Sequence, residues 1–90
     1  MPWNIKYTET AVKALLDMDR HQAQQIKKYL DERIAPAENP RAFGHGLTSN
    51  LAGLWRYRIG NYRVVVEIQD SQLVVLVVSV GHRSKVYGGH

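Results

Sequence analysis

The pair Gly60-Asn61 narrows the fold more than any other feature of this sequence. Both residues tolerate positive φ, and they separate two runs in which apolar and basic side chains alternate. Before the pair, Trp55, Tyr57 and Ile59 point one way at period two, and Arg56 and Arg58 the other. A two-residue turn at Gly60-Asn61 sets Ile59 against Tyr62, Arg58 against Arg63 and Tyr57 against Val64. The apolar residues of both strands then share one face, so the register supports itself.

The same register puts Arg58 directly across from Arg63, with Arg56 two residues along on that face. Like charges facing each other on a sheet repel by a few tenths of a kcal/mol or more. One arginine on a strand is ordinarily a solvated side chain. Three converging on one patch favour an anionic ligand, because the guanidinium fork fits phosphate and a bridging anion removes the repulsion.

Charge placement points the same way. Residues 1–40 carry Lys6, Lys13, Arg20, Lys27, Lys28 and Arg33 against six acids and are neutral. Residues 41–90 carry Arg41, Arg56, Arg58, Arg63, Arg83 and Lys85 against only Glu67 and Asp70. The whole excess of +4 therefore lies in the second half, which favours a polyanionic partner, nucleic acid first. Ninety residues make one domain, 1–90. No cysteine is present, so disulfides, thiolate chemistry and Cys-based metal sites are excluded, and a reducing cytoplasm is the expected location. The first residues lack the apolar core of a signal peptide, and the longest apolar run, Leu73 to Val78, is far short of a membrane span.

Along the chain, Trp3, Ile5 and Tyr7 alternate with polar residues as a short strand. Thr8 is placed to cap a helix whose apolar stripe is Ala11, Val12, Leu15 and Leu16, ending near Met18. Asp19 followed by Gln22 opens a second helix with the stripe Ala23, Ile26, Leu30 and Ile34, closed by Pro36 and Asn39-Pro40. Residues 40–53 read as a connector anchored by Phe43, Leu47 and Leu51, in which His45, between Gly44 and Gly46, is an exposed loop histidine. The hairpin follows, then a turn at Asp70-Ser71 and the strand Leu73 to Val80, apolar at both parities as a central strand is. Gly81 ends that strand, and a short tail begins at His82. The order β-α-α-β-β-β predicts an α+β domain, a helical hairpin packed on one face of a mainly antiparallel sheet.

Most catalytic signatures are absent. There is no P-loop, His-Glu-x-x-His, Gly-x-Ser-x-Gly or dinucleotide glycine pattern, and His21, His45, His82 and His90 lack metal-ligand spacing. Neither a metal nor another cofactor is expected. What remains is Arg56, Arg58, Arg63, His82, Arg83, Lys85 and Tyr87. Guanidiniums hold a phosphodiester and stabilise the charge that grows as a pentacoordinate phosphorus forms. With RNA, the substrate's own 2′-hydroxyl supplies the nucleophile. Tyr87 can stack on a base, exchange a proton or simply pack the tail, and His82 can titrate near neutral pH or cap a strand end. Spacing alone leaves both open.

The element order, the core Leu-Trp-Arg-Tyr-Arg-Ile-Gly-Asn-Tyr-Arg-Val and the closing Ser-Val-Gly-His-Arg-Ser-Lys-Val-Tyr resemble the RelE branch of the RelE/ParE toxin superfamily. The resemblance covers nearly the whole chain. It implies a type II toxin that enters the ribosomal A site and cuts mRNA there, and a RelB-like antitoxin that wraps the toxin and covers the site. By position, it implies that Arg56 and Arg58 stand where well-known members have lysines, and that Arg63 stabilises phosphate and transition state. It further implies that Arg83 donates a proton or stabilises charge, and that Tyr87 stacks on the substrate. Lys85 joins Arg56 in binding RNA. Because arginine is a poor general base, that role moves to Tyr87 or His82. The ParE branch, which poisons DNA gyrase by binding, generally lacks this arginine and tyrosine set. A module that only binds RNA or antitoxin is a third reading.

Overall fold

The computed structural model of the chain describes residues 2–47 and 53–83. Its elements are β1 (Asn4–Tyr7), α1 (Glu9–Asp17), α2 (Arg20–Tyr29), β2 (His45–Gly46), β3 (Leu54–Ile59), β4 (Tyr62–Gln69) and β5 (Val74–His82). The strands form one sheet in the order β1-β5-β4-β3-β2. β1 runs parallel to β5, and every other pairing is antiparallel. Both helices lie on one face, α1 over β5 and α2 over β3. The expected α+β architecture is therefore present, with one strand more than the sequence reading gave.

The helix starts follow from their caps. Thr8 accepts a hydrogen bond from the Ala11 amide at 3.1 Å, and Asp19 accepts from the His21 and Gln22 amides. α2 continues through Leu30–Ile34 as a wider turn in which the Ala35 amide bonds the Leu30 carbonyl. Residues four apart nearly superpose in such a turn, which keeps Ile34 in line with Leu30 and Ile26 against the sheet. All three are buried, along with Tyr57, Val64, Val66, Val75 and Val77 on the sheet face they meet.

The α1 stripe divides differently from its expected form. Ala11 is buried and Leu15 packs on the core, whereas Val12 and Leu16 are exposed, Leu16 by 78%. Positions 11 and 15 lie on one line of the helix, and 12 and 16 lie a full residue step around it. A short helix over one strand covers only the first pair.

The hairpin has the expected register in full: Ile59 with Tyr62, Arg58 with Arg63, Tyr57 with Val64. Of the two turn residues only Gly60 takes a positive φ, 59°, the pattern of a II′ turn. β5 is an interior strand, between β1 and β4, and its first residues Val74 and Val75 are buried on opposite faces. It begins one residue later than the apolar run, because Leu73 adopts a left-handed φ of 54° after the short turn Asp70–Gln72.

The expected connector is more ordered than a loop. A 3-10 turn at Pro40–Ala42 is followed by β2, antiparallel to β3. The buried Tyr57 hydroxyl donates to the Pro40 carbonyl at 2.8 Å, the Trp55 indole donates to the Phe43 carbonyl, and the Leu47 amide donates to the Leu54 carbonyl. Two aromatic residues chosen for the core face thus also tie this segment down. The expected anchor Leu51 lies outside the described residues.

Candidate active site

The arginines collect on the sheet face opposite the helices. Tyr57 and Ile59 point to the core and are buried, so Arg56 and Arg58 of β3 project to the other side. Arg63 of β4 faces Arg58 by register. Arg83 follows β5, and its amide donates to the Asn61 carbonyl at 2.8 Å, which draws the end of β5 against the hairpin turn. Arg58, Arg63 and Arg83 line a cleft of about 150 Å³ together with Gly60 and Tyr62.

These charges are uncompensated among the described residues. The ion pairs found there, Lys27 with Asp31 and Arg41 with Asp70, involve none of them. The Nε atoms of Arg56 and Arg63 are shielded from solvent and meet no acceptor among the described residues. A buried donor without a partner is unfavourable by about 1–3 kcal/mol, more when charged. An anion held between Arg58 and Arg63 would remove the repulsion between these facing charges.

β5 decides which tail residues join this group. Val65 pairs with Ser79 and Val66 with Val77, so Val78 is an extra residue, a bulge. Unbroken alternation from Val75 would bring His82 to the arginine face and Arg83 to the helix face. The bulge exchanges them. His82 pairs with Tyr62 and meets its ring edge-on, centroids 5.3 Å apart, beside Ala14, Asp17 and Met18 at the end of α1. The expected group is thus split, with Arg56, Arg58, Arg63 and Arg83 on one face and His82 on the other. Lys85 and Tyr87 lie outside the described residues.

One residue enters that sequence reading did not assign. β2 sets His45 opposite Arg56, so the histidine stands on the arginine face, exposed. The signal was the two flanking glycines. A Cβ at Gly44, whose φ is +74°, would collide with the Arg56 carbonyl oxygen, and one at Gly46 would come within 3.0 Å of the Trp55 ring. Gly44 is demanded by its positive φ and by close contact with the β3 backbone, and Gly46 lies close to the Trp55 ring.

Tyr57 is unavailable for proton transfer, because burial first and the neighbouring Tyr29 second push its hydroxyl well above the ordinary phenol value. No three His, Asp or Glu residues gather as a metal site would require among the described residues. No helix among them is long and apolar enough to cross a membrane.

The family model described as the ParE toxin of the type II toxin-antitoxin system parDE matches residues 5–87. This chain belongs to the RelE/ParE family of type II toxins. Toxin RelG of Mycobacterium tuberculosis is 26% identical over 87 residues, covering 97% of this chain and 98% of that one. Toxin RelE of the same organism is 29% identical over 86 residues, covering 96% and 87%. The toxin-antitoxin complex RelBE2 of M. tuberculosis contains a chain that superposes with a TM-score of 0.84 at 25% identity, covering 94% of this chain and 95% of that chain.

As a RelE/ParE toxin, the protein has a second conspicuous surface. Tyr7, Val12, Leu15, Leu16, Met18 and Ala23 line an open, mainly apolar groove of about 440 Å³ along the helical hairpin. Its edge is polar, with Arg20, Gln24 and Lys27.

Proposed function

We propose that this toxin is a metal-independent endoribonuclease that cuts mRNA in the ribosomal A site by attack of the RNA's own 2′-hydroxyl. The observation that carries this reading is the cleft of Arg58, Arg63 and Arg83, three guanidiniums with no carboxylate partner among the described residues. Arg58 and Arg63 grip the two non-bridging oxygens of the scissile phosphate, and their hydrogen bonds strengthen as charge builds on phosphorus. Arg83 stabilises the same charge from the end of β5. Arg56, one step along β3, holds the neighbouring phosphate, and Lys85 extends that contact. Tyr87 stacks on the base, the role its motif position implies. His82, on the helix face, supports the site through Tyr62 and the end of β5.

A phosphodiester attacked by an adjacent hydroxyl yields a 2′,3′-cyclic phosphate and a 5′-hydroxyl end. The reaction draws on no metal or other cofactor. The toxin works in the cytoplasm, where ribosomes are, and a RelB-like antitoxin holds it inactive. The apolar groove on α1 and α2 suits an amphipathic segment of that antitoxin, since it leaves Val12 and Leu16 exposed beside Leu15 on one helix.

The test is primer extension on a defined mRNA in programmed ribosomes, with and without EDTA. EDTA-resistant cleavage within the A-site codon is expected, and its loss in EDTA would overturn the 2′-hydroxyl mechanism. The description of the matching family model keeps one other reading in view, a gyrase inhibitor that acts by binding. Intact mRNA together with blocked supercoiling would establish that reading instead.

A further inference from the structure

We infer that His45 is the proton acceptor of the cleavage step, a reading that rests on the nuclease function proposed above. The arginines of the cleft cannot fill this role, because a guanidinium stays protonated at any physiological pH. The reaction still needs a base within reach of the 2′-hydroxyl. Among the described residues, the other candidates near the arginines are placed less well. Tyr29 and Glu32 border Arg58 in a separate pocket on the α2 side. Tyr62 borders the cleft, but its ring packs edge-on against His82, which pairs with it on the helix face. The Tyr57 hydroxyl is buried and bonded to Pro40. Asp70 holds Arg41 through both carboxylate oxygens, at 2.9 and 3.0 Å. Glu67 shares the arginine face but lies four residues along β4 from Arg63, where it accepts a hydrogen bond from Gln69.

His45 remains, and it is held in place. It pairs with Arg56, and Arg58 is two residues further along β3. Its Cα is therefore roughly 8 Å from that of Arg58, a gap the two side chains span with a phosphodiester between them. Side chains at Gly44 and Gly46 would meet the Arg56 carbonyl and the Trp55 ring, so β2 lies close against β3 in the register that pairs His45 with Arg56. The imidazole itself is exposed and free to meet RNA laid along the arginine face. Of the natural side chains, imidazole is the one that most often serves as a general base.

In the step, the imidazole of His45 removes the 2′-hydroxyl proton and the 2′-oxygen forms its bond to phosphorus. The phosphorus–O5′ bond breaks, and its electron pair leaves on the 5′-oxygen, which takes a proton from water. The hydroxide so formed recovers the proton from the imidazolium, which restores the free base.

The experiment is single-turnover cleavage in programmed ribosomes by wild type, His45→Ala, His45→Gln and Arg63→Ala. Each is run on mRNA with an ordinary 5′-oxygen and on mRNA with a 5′-sulfur at the scissile bond. Both His45 variants should cleave about 10²- to 10⁴-fold more slowly than wild type. Free imidazole should partly restore His45→Ala and leave Arg63→Ala unchanged. A sulfur leaving group needs no proton, so the His45→Ala deficit should persist on the thio substrate; its disappearance there would overturn the acceptor role. Gly44→Ala keeps the imidazole but displaces β2, and should also be slow. Full-rate cleavage by His45→Ala beside an impaired Arg63→Ala would overturn this inference alone. Absence of cleavage by wild type would overturn it together with the nuclease reading.

Discussion

At Arg63 the proposed site and the fold make opposite demands on a single residue. It faces Arg58 across the hairpin, and its Nε is shielded without an acceptor among the described residues. Truncation removes a like-charge contact and an unpaired donor, while the aliphatic stem gives up some packing. Arg63→Ala should therefore melt within a few degrees of wild type, a change of about 1 kcal/mol or less. Its cleavage rate should fall about 10²-fold or more, because the transition state loses a preorganised cation. A large fall in melting temperature with little change in rate would make Arg63 structural. The arginines were legible in the sequence because alternation at period two assigns a face without knowledge of the neighbours. His45 was not, because Gly-His-Gly has no alternation to read. Its place depends on the fit of Gly44 and Gly46 to β3, a contact between residues about ten positions apart.

At the level of elements, Thr8 joins α1 to β5. It caps α1 through the Ala11 amide, its own amide donates to the Val77 carbonyl at 3.0 Å, and its hydroxyl donates to the Val78 carbonyl at 2.8 Å. Val78 is the bulged residue, so the start of α1 steadies the irregularity that turns Arg83 toward the cleft and His82 away from it. Thr8→Val should cost about 1–2 kcal/mol in a denaturant melt, from the lost cap and the stranded carbonyl. It should also slow cleavage, although Thr8 lies on the helix side of the sheet; an unchanged rate would show that the bulge holds without it. The exposed half of the α1 stripe gives a different expectation. Leu16 is 78% exposed, so Leu16→Asp should leave stability within about 0.5 kcal/mol. Binding of the antitoxin, measured by calorimetry, should weaken at least about tenfold if the groove is its seat. Equal affinity would move the antitoxin to another surface.

Across the whole molecule, packing the helices on the sheet buries two phenols that stay protonated in the folded state. The Tyr7 hydroxyl is pushed up to about 12 by burial first and the Asp31 charge second, and Tyr57 is pushed higher still. Both values exceed the unfolded value of about 10, so their contribution to stability is intact below about pH 10 and lost as the pH rises through the folded values. Melting temperatures should fall from pH 10 to 12. Tyr7→Phe, which removes a hydroxyl with no partner among the described residues, should fall less over that range and match wild type to about 1 kcal/mol at pH 7. Parallel decline of the two proteins would show that Tyr7 takes no part. Local rules carried the sequence a long way. Caps at Thr8 and Asp19, the Gly60-Asn61 turn, the hairpin register and the face of Arg56, Arg58 and Arg63 all follow from neighbours a few residues apart. The family was legible for the same reason, since its motifs sit on that hairpin and the end of β5. Tertiary structure alone decided that β2 exists, that Val12 and Leu16 stay uncovered, and that one extra residue in β5 sends Arg83 to the cleft and His82 to the helices. Those outcomes depend on how distant segments fit together, because parity along a strand holds only until a partner elsewhere in the chain interrupts it.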